Sequence, residues 1–289
     1  MLPIEIADDI CERGLALYDK GLPKGSSTGW RGLDELYTVG VGQWTLITGI
    51  PHSGKSEWLD ALMMNLAESD DWDFAIYSPE NYPTEIHLSK LAEKRVRRPF
   101  GPGPTERMSR IEFDTASAWI CDHFIWLAPE YKDHLSLLEA GQPFRRANRK
   151  FGIVLDPWNT LEHFRPRDLT ETEYVSKALT DITNWCRQKQ CHVFVVAHPS
   201  KLLRGADGKR PVPTPYDIAG SAHWYNKADN IITVHRDQLE PRDQRVQIHV
   251  QKVRFKHMGR IGLAELMYDR VTGRYHERPP VHVVAYHTD

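Results

Sequence analysis

Long apolar runs are missing from this chain. Nowhere in its 289 residues does a window approach the ~18 consecutive apolar positions that a membrane-crossing helix needs, so no membrane partner is expected. Cysteine is scarce. Cys11, Cys121, Cys186 and Cys191 match neither a disulfide framework nor a C-x-x-C metal site, and a reducing compartment is the expectation. The start, Met1-Leu2-Pro3-Ile4-Glu5-Ile6-Ala7-Asp8-Asp9-Ile10, has early acids and no basic–apolar leader. Neither a secretory signal nor a transit peptide is read there; the expected location is cytoplasmic, and a mitochondrial matrix remains compatible with the fold. Glycine and proline, 19 each, are too few for a collagen-like or disordered chain.

Charge of one sign is lacking overall, since the formal net charge is −2. That near-neutrality excludes a global attraction to polyanions and leaves only local ones. Basic clusters occur at Lys90–Arg98, Lys201–Arg210 and Lys252–Arg260, each of which would otherwise be an ordinary solvated face.

What is present is alternation. Residues 4–19 carry Ile4, Ile6, Ala7, Ile10, Leu15 and Leu17 at helical spacing, and Leu22–Gly29 reads as a linker. The expected organisation is therefore an N-terminal helix and linker over 1–28 and one domain over 29–289. Short apolar strands are expected at Trp44–Thr48, Phe74–Ser78, Phe124–Leu127, Phe151–Asp156, Val193–Ala197 and Ile231–His235. Helical stretches near 54–68, 84–97, 132–149 and 171–189 separate them, which predicts an α/β fold with a mostly parallel, doubly wound sheet. Arg245–Phe255, Gly262–Tyr268 and Arg274–His276 alternate with turns, predicting antiparallel strands at the C-terminal edge.

The first strand runs into Gly49-Ile50-Pro51-His52-Ser53-Gly54-Lys55-Ser56 and then a helix, the G-x-x-x-x-G-K-[ST] pattern in its strand–loop–helix context. Glycines let the loop wrap phosphates with its N–H groups, and the helix N-terminus favours anions. Lys55 can reach the β- and γ-phosphates and Ser56 can ligate Mg²⁺, so ATP (or another NTP) and Mg²⁺ are the expected cofactors. Pro51-His52 departs from the simplest Gly/Ala-rich loops. Asp156 ends an apolar strand, as a metal-orienting acid requires; the alternative role is a turn cap before Pro157. Glu80, after the next strand, can polarise an attacking water, although an acid after a strand is common. His198 ends a strand beside the expected γ-phosphate position, where it could report on that phosphate or be a structural histidine.

Together with Gly29-Trp30…Leu33-Asp34, Ser78-Pro79-Glu80-Asn81, Ala197-His198-Pro199, Gly220-Ser221-Ala222, Ala228-Asp229-Asn230 and Gln251-Lys252-Val253-Arg254-Phe255, these pieces stand in a recognisable order. The chain resembles the RecA-like P-loop NTPase motor domain of hexameric replicative DNA helicases, in the Twinkle-like and phage primase–helicase branch of the DnaB-type superfamily. The resemblance spans residues 29–276. It implies Glu80 as catalytic base, Asp156 as the acid orienting the metal's water, and His198 as a γ-phosphate switch. It implies Arg254 as an arginine finger inserted into a neighbouring protomer's site, with Lys252 as its companion, and Arg236 and Tyr268 as a pair sandwiching the base. Without it, Lys252-x-Arg254 would be the exposed face of an edge strand.

Two long loops are the expected DNA contacts: Trp158–Thr170, with Arg165 and Arg167, and Pro199–Gly220, with Lys201, Arg204, Lys209 and Arg210. The implied partners are single-stranded or forked DNA, copies of the chain in a ring of six (seven also fits), and a primase domain or protein. No zinc-ribbon or Toprim-like primase portion occurs in these residues. The helix at residues 4–18 has the position of one that docks on the adjacent protomer in this family; the alternative is that its apolar stripe packs on its own domain. The runner-up function is a RecA/KaiC-like DNA-binding or regulatory ATPase without unwinding activity. A P-loop kinase, the third, would need a small-molecule acceptor pocket.

Overall fold

The computed structural model describes residues 7–128, 130, 132–200, 205, 208, 210–236, 243–277 and 283–285. Its strands are β1 (Trp44–Thr48), β2 (Trp72–Tyr77), β3 (Phe124–Trp126), β4 (Lys150–Leu155), β5 (His192–Val196), β6 (Asn230–His235), β7 (Arg245–Val253), β8 (Gly262–Tyr268), β9 (Tyr275–Glu277) and β10 (Val283–Ala285). They form one sheet in the order β10-β8-β7-β6-β1-β5-β4-β2-β3, with β9 also paired to β8. Strands β6, β1, β5, β4, β2 and β3 are mutually parallel, and β7 to β10 are antiparallel.

Helices α3 (Lys55–Asp70), α4 (Thr84–Val96) and α5 (Arg110–His123) accompany a core containing Trp58, Leu62, Leu66, Leu91 and Ile120. Helices α6 (His134–Gly141), α7 (Glu171–Lys189) and α8 (Ser221–Lys227) accompany a second, containing Leu137, Leu179, Ile182 and Trp224. With a core on each face, the central strands lack a polar side, and β1, β2 and β5 are buried at every position. In α7, Tyr174, Val175, Ala178, Leu179, Ile182, Trp185 and Cys186 repeat at helical spacing and turn inward.

The expected helix over 132–149 is shorter. Asp133 caps α6 by accepting from the Leu135 and Ser136 N–H groups, and Pro143, which has no N–H, turns the chain into a single 3-10 turn. Helices α5 and α8 were not expected. Yet α5 carries a legible start signal: Ser109 accepts from the Glu112 N–H, and Glu112 reaches back to the Ser109 N–H. The first helix, α1 (Ala7–Lys20), has no buried residue; Ile10, Leu15, Leu17 and Tyr18 are all exposed. The chain joins the packed body at Ser26, which bridges to Val39, and at buried Thr28, whose N–H and hydroxyl donate to Asp34. The short α2 (Arg31–Asp34) follows.

Candidate active site at the carboxyl edge of the sheet

Because β1, β2, β4, β5 and β6 run parallel, their carboxyl ends bring the residues that follow them to one edge. Loop Gly49–Gly54 follows β1, Glu80 follows β2, Asp156 follows β4, His198 follows β5 and Arg236 follows β6. Crevices at such edges are where open α/β sheets bind ligands. A Cβ on Gly49, whose φ is 153°, would meet the Val234 carbonyl oxygen at 2.3 Å, so only glycine lets the loop turn this close to β6. Gly54, at φ 90°, sets the left-handed turn into α3. His52 also adopts a positive φ, 64°, so the atypical Pro51-His52 pair is accommodated within the loop.

Lys55 is buried, and its Nζ donates to the carbonyls of Gly49 (3.0 Å) and Ile50 (3.2 Å). Burial lowers its pKa, while Asp156 and Glu80 oppose that shift. Asp156 is 4% exposed, is hydrogen-bonded to Ser56, and is pushed up to about 6 by burial, with Asp60 and Glu80 adding repulsion. The Ser53 hydroxyl is buried within the loop without a hydrogen-bond partner. Glu80 is half exposed on a turn pinned by Asn81, which bonds Ser78 and receives Lys90 Nζ at 2.8 Å. Its Oε1 lies 4.0 Å from His198 Nε2. Burial, then Lys55, lowers the His198 pKa, while Glu80 opposes that shift.

The expected base-binding pair is also near this edge. Tyr268 lies 5.0 Å from Tyr275 ring to ring and is hydrogen-bonded to Glu57, and Arg236 acts electrostatically on both tyrosines. The Arg236 guanidinium donates to the Asp243 carbonyl at 2.6 Å. Sequence reading passed over Tyr275, Glu57 and Asp60. Glu57 and Asp60 were legible as acids one and four residues beyond Ser56 on α3, whereas Tyr275 comes from a strand 219 positions past Ser56 in the chain and had no local signal.

Arg254 and Lys252 lie elsewhere. Arg254 Nε is 2.6 Å from Asp229 Oδ1, and Asp229 also accepts from the Trp44 N–H at the amino end of β1. Across β1, at about 3.3 Å per residue, that places Arg254 about 16 Å from its own phosphate loop. Its side chain is 34% exposed. Lys252 Nζ donates to the Tyr225 carbonyl at 2.5 Å and lies 5.1 Å over the Tyr225 ring. Arg165 and Arg167 are exposed after β4, and Arg210 is partly exposed. Lys201, Arg204 and Lys209 lie outside the described residues.

A phosphate loop, an acid at the end of β4 and a doubly covered parallel sheet define the RecA-like class of P-loop ATPase domains. Solved structures agree on the fold. The ATPase domain of G40P superposes with a TM-score of 0.77 at 16% identity, covering 94% of this chain and 99% of that one. A DnaB-like replicative helicase, from a structure concerned with its interactions with primase, gives 0.75 at 16% identity, covering 95% and 68%. The RadB recombinase gives 0.56 at 15% identity, covering 85% and 97%. In sequence, the chain is 44% identical over 276 residues to the Twinkle homolog protein, chloroplastic/mitochondrial, of Arabidopsis thaliana, a match covering 91% of this chain. The chain spans 38% of that relative's length. No protein-family model matches it. No helix among the described residues is long and apolar enough to cross a membrane.

Proposed function

We propose that this chain is the motor of a replicative DNA helicase, hydrolysing ATP (or another NTP) between protomers of a ring to move along single-stranded DNA and open duplex. The observation that carries the reading is the separation of Arg254 from its own phosphate loop by the length of β1, with the guanidinium still partly exposed. An arginine so placed can serve a neighbour's cleft and not its own. Kinship with the Twinkle homolog and the likeness to helicase ATPase folds support the class.

The residues fit a magnesium–nucleotide. Ser53 holds a buried hydroxyl without a partner inside the loop, and the Lys55 amine rests on carbonyls that phosphate oxygens can outcompete. Ser56 and Asp156 are the residues that would hold Mg²⁺. When bound, the ion supplies charge neutralisation at the phosphoryl oxygens.

In the reaction, the loop N–H groups of Gly49–Ser56, Pro51 having none, and the Lys55 amine grip the β- and γ-phosphates. Arg236 and Tyr268 sandwich the base. Glu80 accepts a proton from water as the water oxygen bonds to γ-phosphorus and the bond to the β-phosphate oxygen breaks. The neighbour's Arg254, with Lys252 beside it, offsets the charge growing on the γ-phosphoryl oxygens. His198 contacts Glu80 and precedes the second loop, so it links phosphate loss to DNA contact. Arg165, Arg167, Lys201, Arg204, Lys209 and Arg210 track the DNA backbone. The apolar stripe of α1 docks on the adjacent protomer of a six- or seven-membered ring, and a primase domain or protein completes the assembly. The four cysteines are free thiols, which suits a reducing cytoplasm or organelle matrix.

The test is ATP hydrolysis with and without single-stranded DNA, alongside oligomer mass and strand displacement on a fork. DNA-stimulated hydrolysis by a ring that separates strands is expected. DNA binding with no displacement would favour a RecA/KaiC-like ATPase, and indifference to DNA by a permanent monomer would sink the reading.

A further inference from the structure

Behind the phosphate loop lies a buried acid that none of these roles uses. Asp60 stands one helical turn after Ser56 on α3, and residues four apart share a helix face. It is 3% exposed. Its Oδ1 is 3.0 Å from His87 Nε2, and Trp126 Nε1 lies 3.1 Å from His87 Nδ1. An indole N–H only donates, so His87 Nδ1 is the acceptor and the ring proton sits on Nε2, directed at Asp60. The other carboxylate oxygen, Oδ2, is buried and has no hydrogen-bond partner. The nearby lysines make their hydrogen bonds elsewhere, Lys94 to Glu57 and Lys90 to Asn81; against the burial that would raise the Asp60 pKa, His87 and then these two charges hold it down. Asp156, itself hydrogen-bonded to Ser56, is near enough to be repelled by the Asp60 carboxylate.

An unserved carboxylate oxygen in a dry interior is costly, and beside a second carboxylate more so. A divalent cation at Ser56 and Asp156 resolves both costs. Mg²⁺ keeps several waters, and bound water presents protons outward, so its outer shell must be acceptors. We infer that Asp60 is the outer carboxylate of the magnesium–nucleotide site, accepting hydrogen bonds from the cation's water shell through Oδ2, with His87 and Trp126 as positioning residues that fix it. This rests on the reading of Gly49–Ser56 as a nucleotide cradle.

The experiment uses the full chain, Mn²⁺ as the probe read by electron paramagnetic resonance with a non-hydrolysable ATP analogue, and nucleotide binding in EDTA by a fluorescent analogue. In Asp60→Asn, the amide oxygen stays with His87 and the NH₂ faces the waters, donor against donor. Mn²⁺ affinity is expected to fall about 10- to 100-fold with metal-free nucleotide binding unchanged. His87→Phe keeps the carboxylate and removes its anchor; a several-fold loss is expected, and it decides the matter if Asp60→Asn does not fold. Wild-type Mn²⁺ affinity in the folded variants, or an equal loss without metal, overturns the assignment. Lys55→Ala separates the two readings. If it loses nucleotide while Asp60→Asn keeps wild-type Mn²⁺ affinity, Asp60 alone is misassigned; if it binds metal–nucleotide normally, the cradle and Asp60 fall together.

Discussion

Arg254 and Asp229 form an ion pair, 2.6 Å from Nε to Oδ1, at the end of the sheet away from the phosphate loop. Asp229 is almost fully buried and is also held by the Trp44 N–H, so the pair anchors the guanidinium at the start of β6 and β1. Burial raises the Asp229 pKa, while Trp44 and Arg254 pull it back. The cation is thus tethered by one carboxylate and by the Lys227 and Ala228 carbonyls, which accept from Nη2 at 3.3 and 3.4 Å, while its side chain stays 34% exposed.

For Arg254→Ala, DNA-stimulated hydrolysis is expected to fall by about 10³-fold or more, with ring assembly retained. Arg254→Lys keeps a charge for Asp229 but loses the planar fork, so its hydrolysis stays low. Steady-state ATPase with oligomer mass checks both. Hydrolysis near the wild-type rate in an assembled Arg254→Ala ring removes the trans role.

Glu80→Gln separates binding from turnover. Its side chain is 57% exposed, so folding is expected to be untouched. Nucleotide affinity should hold while single-turnover hydrolysis drops about 10²- to 10⁴-fold. A variant that turns over normally would mean that another group takes the water's proton.

Acid is expected to destabilise the fold through His192. This ring is fully buried: Nδ1–H donates to the Gly40 carbonyl at 2.7 Å, and Nε2 accepts from the Thr45 hydroxyl at 3.0 Å. Burial lowers its pKa from 6.5 to about 4. The unfolded chain therefore binds the extra proton first, and stability falls as pH drops from about 6.5 towards 4. From pH 7 to pH 5 the loss is about 2 kcal/mol from this group. Urea titrations at the two pH values measure it, and His192→Gln should flatten the dependence.

The double substitution of Arg165→Ala with Arg167→Ala should leave DNA-free hydrolysis unchanged, since both side chains are exposed beyond β4. Each phosphate contact removed lowers the slope of log affinity against log salt by about 0.7 for single strands, or about 1.4 for the two. Fluorescence anisotropy over a salt series reads the slope. An unaltered slope would take this loop out of the DNA path.

The parallel sheet was legible because strands covered on both faces are largely apolar, as Trp44–Thr48 is apart from Thr45 and Thr48 and as Val193–Val196 is throughout. The strand–loop–helix turn at Gly49–Ser56 was legible because its pattern is local: two glycines, one lysine and one hydroxyl within eight residues. Helix α5 was overlooked although Ser109 and Glu112 announce it, because its apolar stripe is weak, burying only Ala116, Ile120 and His123. For α6, Pro143 decided the length against an apparently continuous pattern.

Residue types and their order along the chain were enough to determine the strand–helix alternation and which acids end which strands, since both follow from short-range sterics and burial. That Glu80, Asp156 and His198 follow strands onto the edge of the Gly49–Ser56 loop was readable from their order; only tertiary structure could decide that Arg254 is carried to the other end. That outcome depends on strand direction: β6 runs with β1 and β7 against it, so a residue beyond the end of β7 emerges at the amino end of β1. The same packing brings His87 and Trp126 onto Asp60, joining three elements whose separate sequences carry no mark of the contact.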